Sequence, residues 1–367
     1  MVRAGLACTR RALERSELMP LRPTRMRYDD EVDSLWRPAV LGPRGPVRPT
    51  PDQLRELVRH ATLAPSSHNT QCWRFVVAEC SISILPDWSR RCPRVDPDDH
   101  HLFVSLGCAL QNLVEAAAAA GFVAEPTPAC LPDAVVTMAL SPSRAVASPS
   151  FMAITARQCT RADYDGRPLG NDELRQLQAA GTGQGVGVVL LTGRGTMEQV
   201  LELVVAGNTM QLRDPLFTSE LKSWVRFNDA EALRSGDGLS ARCMGNPSLP
   251  SWLGRALFGA LVRPRHENDK VARQIRSSSG IAVFFSDGDD RAHWIEAGRC
   301  YQRFALLATS LGIRNAFVNQ AVEVASVRSV LAQAVGLRGS RPDLLVRFGR
   351  GPLMPRSLRR PLEAVVV

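Results

Sequence analysis

Two stretches of the chain carry the same spacing. Gly107 and Gly121 stand fourteen residues apart, and so do Gly298 and Gly312. Within the first, Leu106, Ala109, Leu110, Leu113, Ala116, Ala117 and Ala120 follow helical spacing, the pattern of a helix with a buried face. Its alanine run permits close helix packing, and Gly121 suits the residue just past a helix end. Laid glycine on glycine, Gln111 falls on Gln302, Leu113 on Phe304 and Ala117 on Ala308. Each closing glycine precedes an apolar residue, Phe122 or Ile313, and each helix follows a strand-like run at similar distance. This suggests two divergent copies of one α+β unit. Such copies should pack as an internal pseudo-dimer, doing in one chain what a two-fold homodimer does in two.

The remaining pattern fits that division. Thr50-Pro51-Asp52 opens a helix, with Thr as cap and Pro in the first turn, and that helix runs to about Leu63. Residues 74–77 and 81–85 read as a strand pair turning at Glu79-Cys80, 87–101 as loop, and 133–140 as a strand. A Ser/Pro/Arg linker over 141–150 closes a first half, 50–150. The second half, 151–367, shows a helix over 172–180, a strand over 186–192 and a helix over 197–210. Strands over 281–285 and 344–348 flank helices over 296–311 and 322–335. Residues 214–265 read as irregular, a possible lid, in which Trp224, Met244 and Trp252 are candidates to cover a flat ring.

Composition excludes several functions. The chain has 367 residues, 45% apolar and 22% charged, which suits one large domain or two ordinary ones. The longest apolar run, Leu113–Phe122, contains Glu115 and falls short of the roughly 18 residues of a membrane span. The formal charge of +9 is arginine; Lys222 and Lys270 are the only lysines. Apart from the N-terminus and the tail from Arg347 to Arg360 its basic residues are scattered, without a DNA- or RNA-reading element, so no nucleic-acid partner is expected. Nine cysteines, an odd number with no C-x-x-C pair, read as reduced thiols of a cytoplasmic protein. The first 25 residues hold six arginines and two glutamates; residues 1–49 are expected to be a disordered extension, with Met26 a plausible initiator.

Two stretches carry chemistry. The loop Ala64-Pro65-Ser66-Ser67-His68-Asn69-Thr70-Gln71-Cys72-Trp73 joins helix to strand. It offers hydroxyls, amides and backbone N–H groups, the donors that hold a polar heterocycle or a phosphate; an ordinary connecting loop has the same composition. Arg157-Gln158-Cys159-Thr160-Arg161 sets two guanidinium groups four apart, able to make charge-assisted contacts to a phosphate, or to lie in solvent as a basic turn. The glycines at 181, 183, 185 and 187 precede a strand, where a dinucleotide fingerprint must follow one. The histidines at 60, 68, 100, 101, 266 and 293 lack paired-ligand spacing, so no metal site is expected. His100-His101 reads as a solvated loop pair. Ser66 and Ser67 lack a nucleophile-elbow frame.

Taken together, the two stretches resemble a known family. Pro65-Ser66-Ser67-x-Asn69-x-Gln71-x-Trp73 resembles the A-P-S-S-x-N-x-Q-P-W motif of the nitroreductases, and Arg157-x-Cys159-x-Arg161 resembles their R-R-[ST]-x-R opening. Here each half keeps one motif, and Ala180-Gly181-Thr182-Gly183-Gln184 stands as a decayed counterpart of the first loop. The order looks like the Acg-type branch, flavin-binding proteins of two fused nitroreductase-like halves. Asp96-Pro97, Ser105-Leu106-Gly107, residues 314–320 and residues 341–352 also match. The resemblance spans about residues 50–367.

The resemblance implies an α+β nitroreductase-like fold and one flavin mononucleotide (FMN) per chain. Arg157 and Arg161 would hold its phosphate, with Arg350 or Arg356 joining from the tail. Ser66, Ser67, Asn69 and Gln71 would face the ribityl chain or ring, and Asn208 the isoalloxazine. No protein acid–base pair is implied, because the flavin carries the hydride. Two departures stand out. Cys72 replaces the usual Pro, as a thiol near the site or a buried inert one. Cys159 replaces the usual hydroxyl. The implied activity passes hydride from NAD(P)H through FMN to a small-molecule acceptor such as a nitroaromatic or quinone. A second reading is a protein that sequesters FMN with little turnover. A monomer, or a weak homodimer, is expected, with no membrane partner.

Overall fold

The computed structural model describes residues 27–38, 48–127 and 135–367. Met26 and the start of the strand expected from 133 lie outside them. The first half contains α1 (Tyr28–Leu35), α2 (Pro51–Thr62), β1 (Trp73–Ala78), β2 (Ser81–Pro86), α3 (His100–Ala120), β3 (Phe122–Thr127) and β4 (Val136–Pro142). A short α4 (Pro149–Ile154) leads into α5 (Asn171–Ala180), β5 (Val186–Leu191) and α6 (Arg194–Arg213). Next come α7 (Pro215–Trp224), β6 (Val225–Arg226), α8 (Asp229–Ser235), β7 (Leu239–Ser240), α9 (Ala241–Met244), α10 (Ser251–Leu261) and α11 (Pro264–Arg276). The chain closes with β8 (Gly280–Ser286), α12 (Arg291–Ser310), β9 (Arg314–Phe317), α13 (Gln320–Glu323), α14 (Ala325–Ala334) and β10 (Arg341–Gly349).

The repeat seen in the sequence is a repeat of topology. One antiparallel sheet runs β1-β2-β4-β3 and the other β5-β8-β10-β9. Renumbered within each half, both orders are first, second, fourth, third. In both, the long helix follows the second strand and leads into the third. The halves differ in the link between first and second strands. In one it is a tight turn at Glu79 and Cys80; in the other it is the α6–α11 segment. The 214–265 stretch lies in this insertion, and it is largely helical rather than irregular. Its turn-forming prolines start helices: Pro215 and Pro264 stand in first turns, where the missing N–H costs nothing.

The halves meet along α3 and α12. A Cβ on Gly107 would lie 2.0 Å from the Ile295 carbonyl oxygen, and one on Gly298 would lie 2.0 Å from that of Val104. Each glycine thus presses on the residue three before the other glycine, a reciprocal contact about a pseudo-two-fold axis. Backbones this close leave no room for any side chain. Gln302 Nε2 donates to Asn112 Oδ1 at 2.6 Å, and Asn112 Nδ2 to the His60 carbonyl at 3.0 Å. Gln111, aligned with Gln302, instead donates to Glu115 Oε1 at 3.2 Å. One apolar core runs across the junction, joining Leu57, Trp73, Phe75 and Leu113 to Phe284, Tyr301, Phe304 and Phe348. Burying side chains of this size contributes roughly 1.5–3 kcal/mol each. α3 is long and apolar enough to cross a membrane, and it is instead the centre of this core.

Helix ends follow the residues that cap them. Thr50 Oγ1 accepts from Gln53 N at 3.2 Å and Gln53 Oε1 from Thr50 N at 2.9 Å, a reciprocal box that starts α2. Asp96 accepts from the backbone N–H groups of His101 and Leu102, each at 2.9 Å, and so starts α3 two residues earlier than the apolar pattern indicates. His100 and His101 are therefore buried, not a solvated loop pair. His100 Nε2 lies 2.9 Å from Asp343 Oδ1 at the far end of the chain.

Part of the 1–49 stretch is also ordered into the fold. α1 buries Tyr28, Val32 and, just beyond it, Trp36. Tyr28 Oη donates to the Arg356 carbonyl at 2.9 Å and Trp36 Nε1 to that of Ser357 at 3.0 Å. The C-terminal tail crosses in the same direction. Phe75 N donates to the Val365 carbonyl at 2.7 Å, and Val367 N to that of Phe75 at 2.9 Å, so the tail of the second half extends the first sheet.

Candidate active site

The two motif stretches converge on one cleft. Residues 157–161 run beside β9, where Thr160 N donates to the Asn315 carbonyl at 2.9 Å. The Ala64–Trp73 loop lies between α2 and β1. Its backbone is left-handed at three non-glycine residues, His68 (φ 49°), Asn69 (φ 54°) and Gln71 (φ 54°). Each such residue stores on the order of 1 kcal/mol of strain, which the surroundings must hold in place. The holding bonds are visible. Ser66 Oγ accepts from Gln71 N at 2.8 Å, Gln71 Nε2 donates to the Gly236 carbonyl at 2.8 Å, and Asn69 Nδ2 donates to that of Gly238 at 3.2 Å. Arg360 N donates to Gln71 Oε1 at 2.7 Å. Asp237, between those glycines, pairs with Arg226 at 2.6 Å and also with Arg90. The inserted segment is thereby fastened to the loop.

Two chambers open where these pieces meet. They share Pro65, Ser66, Arg161, Leu239, Met244 and Phe317 as walls. The smaller, about 70 Å³, is lined by Arg157, Gln158, Cys159, Asn69, Ser240, Ser357 and Arg359. The larger, about 240 Å³, has an apolar wall that includes Val95, Val104, Phe217, Leu221, Val262 and Leu344, and a row of amides at Asn208, Gln211, Asn319 and Gln320. The inserted segment supplies walls to both, through Leu239 and Met244.

The smaller chamber has the Arg157 guanidinium in its wall. Arg157 is 2% exposed, and of its guanidinium nitrogens only Nη2 is bonded, to the Leu63 carbonyl at 3.1 Å. Nε and Nη1 are buried without a partner. A buried unpaired cationic donor is costly, and a guanidinium with nitrogens to spare is a partner for a phosphate or carboxylate. Arg359 stands beside it, already spent: it donates to the carbonyls of Thr62, Leu63 and Ala64 at 2.7, 3.1 and 3.1 Å and to Ser357 Oγ at 2.7 Å. Burial and then Arg157 pull its pKa down to about 9.

The larger chamber holds titratable groups that the motifs did not announce. His101 Nδ1 lies 3.6 Å from Asp96 Oδ1 and its Nε2 3.4 Å from Asn319 Nδ2. Burial would depress its pKa, and the Asp96 carboxylate outweighs that and raises it. Glu323 accepts from Gln211 Nε2 at 2.7 Å, and burial raises its pKa. His68 sits 3.6 Å from Cys92 Sγ; burial and then Arg161 hold its pKa down to about 4, so the ring is neutral near pH 7. Titratable side chains thus line the chamber where no acid–base pair was implied.

The expected residues divide into three groups. Ser66, Ser67, Arg157, Cys159, Arg161 and Asn208 line the cleft. Asn69 lines it too, but its amide is committed to Gly238 and the tail, and its Oδ1 accepts from Arg359 at 3.2 Å. Gln71 is wholly buried and serves as a strut. Arg350 lies outside the cleft and pairs with Glu173 at 2.7 Å, and Arg356 lies over the Trp36 ring at 5.5 Å. The tail arginine in the cleft wall is Arg359. Cys72 is buried, its Sγ 3.8 Å from the Leu102 carbonyl, and burial pushes its thiol up to about 12, so it is the inert thiol of the two alternatives. Met244 lines the cleft, whereas Trp224 stacks with Arg90 at 5.3 Å and Trp252 points to solvent. Glu323 and Arg359 went unseen because their neighbours in space are distant in sequence, and His101 because the turn that buries it beside Asp96 reads as a polar loop.

Comparison with known proteins agrees with the motifs. Residues 46–92 match the model of the nitroreductase family. The protein named "Putative NAD(P)H nitroreductase Rv3131" of Mycobacterium tuberculosis H37Rv is 26% identical over 332 residues, covering 87% of this chain and 92% of that one. "Putative NAD(P)H nitroreductase acg" of the same strain is 24% identical over 331 residues, covering 86% and 96%. Among solved structures, a nitroreductase with bound FMN from Desulfitobacterium hafniense is 13% identical with a TM-score of 0.38, over 59% of this chain and 96% of that one. The FMN-dependent nitroreductase NfnB of Mycobacterium smegmatis, in complex with NADPH, is 13% identical with a TM-score of 0.37, over 57% and 94%.

Proposed function

We propose that this chain, a relative of the nitroreductase family and of its Acg-type branch, is an FMN-dependent oxidoreductase with one cofactor site between its two halves. The observation that carries this reading is Arg157: a buried guanidinium in the wall of the chamber where both motifs meet, with two of its nitrogens lacking a protein partner. They fit the phosphate of FMN, with Arg161 completing the charge. Ser66 and Ser67 then border the path from this chamber into the larger one, and Asn208 lies beyond it. FMN, when bound, would accept hydride from NAD(P)H and deliver it to a second substrate. The chain's own residues bind the phosphate, exclude water with the inserted segment, and present polar groups to a flat acceptor held in the larger chamber. A nitroaromatic or a quinone has the shape that the apolar wall and the row of amides suit. His101 and Glu323 would supply or accept protons there.

A second reading, FMN storage with little turnover, is favoured by the inserted segment, whose bonds from Gly236 and Gly238 to the loop fasten it beside the cleft. Anaerobic mixing of the FMN-loaded protein with excess NADPH separates the two. The oxidoreductase reading predicts loss of the oxidised-flavin absorbance within seconds, followed by its return when a quinone is added. Absorbance that persists for many minutes would instead assign storage.

A further inference from the structure

The helix α10 is inverted relative to an ordinary surface helix. Such a helix buries its apolar stripe and shows its polar face to water. α10 touches the body through Gly254 and Phe258, the latter edge-on to Phe227 with ring centroids 6.3 Å apart. The Gly254 side admits no Cβ, which would lie 2.3 Å from the Phe227 ring. On a helical wheel Trp252, Ala256 and Ala260 then lie opposite that side, and Leu257 and Leu261 continue the apolar arc round toward it, about half a turn in all. All five are exposed: Trp252 by 72%, Leu257 by 41% and Leu261 by 46%. The helix carries no carboxylate. Its cations are Arg255, paired with Glu231, and, just past its end, the exposed Arg263 and Arg265.

We infer that α10 is a docking face for an anionic lipid surface. An apolar arc edged by a tryptophan and flanked by arginines is the chemistry of a helix that lies in a bilayer interface. The phosphates of such a surface complement Arg263 and Arg265, and the chain's overall charge of +9 adds to the attraction. A second copy meeting this face with its own α10 would bring arginines and no carboxylate, so charge complementarity favours lipid. The docked face also borders the cleft, because Val262, directly after the helix, lines the larger chamber. An acceptor dissolved in the membrane would then enter without crossing bulk water; that last step rests on the proposed oxidoreductase activity, whereas docking does not.

The test uses the full chain with vesicles of phosphatidylglycerol and phosphatidylcholine in equal parts, against vesicles of phosphatidylcholine alone, in a flotation assay that needs no flavin turnover. Binding to the anionic vesicles is expected. It should weaken about 30-fold in the Arg263→Ser/Arg265→Ser double variant, at roughly fivefold per cation, and vanish in Trp252→Glu/Leu257→Glu. Both variants change exposed side chains, and unaltered circular dichroism confirms that they fold. No binding, or binding that ignores the substitutions, overturns the inference. So does a dimer, detected by light scattering, that dissociates in the Trp252→Glu/Leu257→Glu variant while vesicles are ignored; that outcome assigns the face to a second copy.

Discussion

Arg157→Met is expected to lower FMN affinity by at least about 100-fold while leaving the flavin-free protein as stable as before or more so. At roughly 1.5–3 kcal/mol for each charge-assisted hydrogen bond, losing the guanidinium's bonds and charge at the phosphate removes about 3 kcal/mol of binding. The stability half of the prediction follows from the same atoms. Nε and Nη1 are buried without a protein partner, so removing them breaks no bond within the chain. The Leu63 carbonyl that Arg157 serves keeps a second donor, Arg359 Nη2 at 3.1 Å. Titration of flavin fluorescence gives the affinity, and the urea midpoint gives the stability. Riboflavin, which lacks the phosphate, should bind the variant and the parent alike. Unchanged FMN affinity, or an equal loss for FMN and riboflavin, would remove Arg157 from the phosphate site.

Gly298→Ala should cost at least about 3 kcal/mol of stability or prevent folding, and Gly107→Ala should do the same. A single added methyl group usually costs 1–3 kcal/mol in a packed core. Here the new carbon meets a main-chain oxygen at 2.0 Å on either helix, and main chain has no rotamer to change. The two helices must separate, and the core that joins the halves opens with them. Gly259→Ala is the control. It sits in α10 with nothing within 4 Å of a new Cβ, so helix propensity alone should raise stability by up to about 1 kcal/mol. Urea denaturation of the three variants reads all of this. A Gly298→Ala protein as stable as its parent would contradict the reciprocal packing of the halves.

The fold was legible where local periodicity and caps decide it. The paired glycines, the Thr50 cap and the strand runs each state their structure within a few residues. The reciprocal glycine contact is what those periods imply once the helices pack. What stayed hidden depends on partners far along the chain. His100 reads as a solvated histidine until Asp343 is placed beside it. Asn69 and Gln71 read as ligand donors until Gly236, Gly238 and Arg360 claim their amides. Arg359 reads as one more basic tail residue, and its carbonyl partners lie at positions 62–64. The insertion between β5 and β8 reads as irregular because its helices are short and start at prolines and polar caps. The cleft residues Ser66, Ser67, Arg157 and Arg161 were legible because their chemistry is local, and their meeting was implied by the repeat.

The number of FMN molecules bound per chain tests the account most directly. Two halves that share one topology give two places for a cofactor. Only one of them brings together a Ser/Asn loop and an arginine pair, because each half keeps one motif. Equilibrium dialysis of the full chain against FMN, read by flavin absorbance, should therefore saturate at one FMN per chain. A chain that stays colourless in excess FMN, or one that binds two, would contradict it.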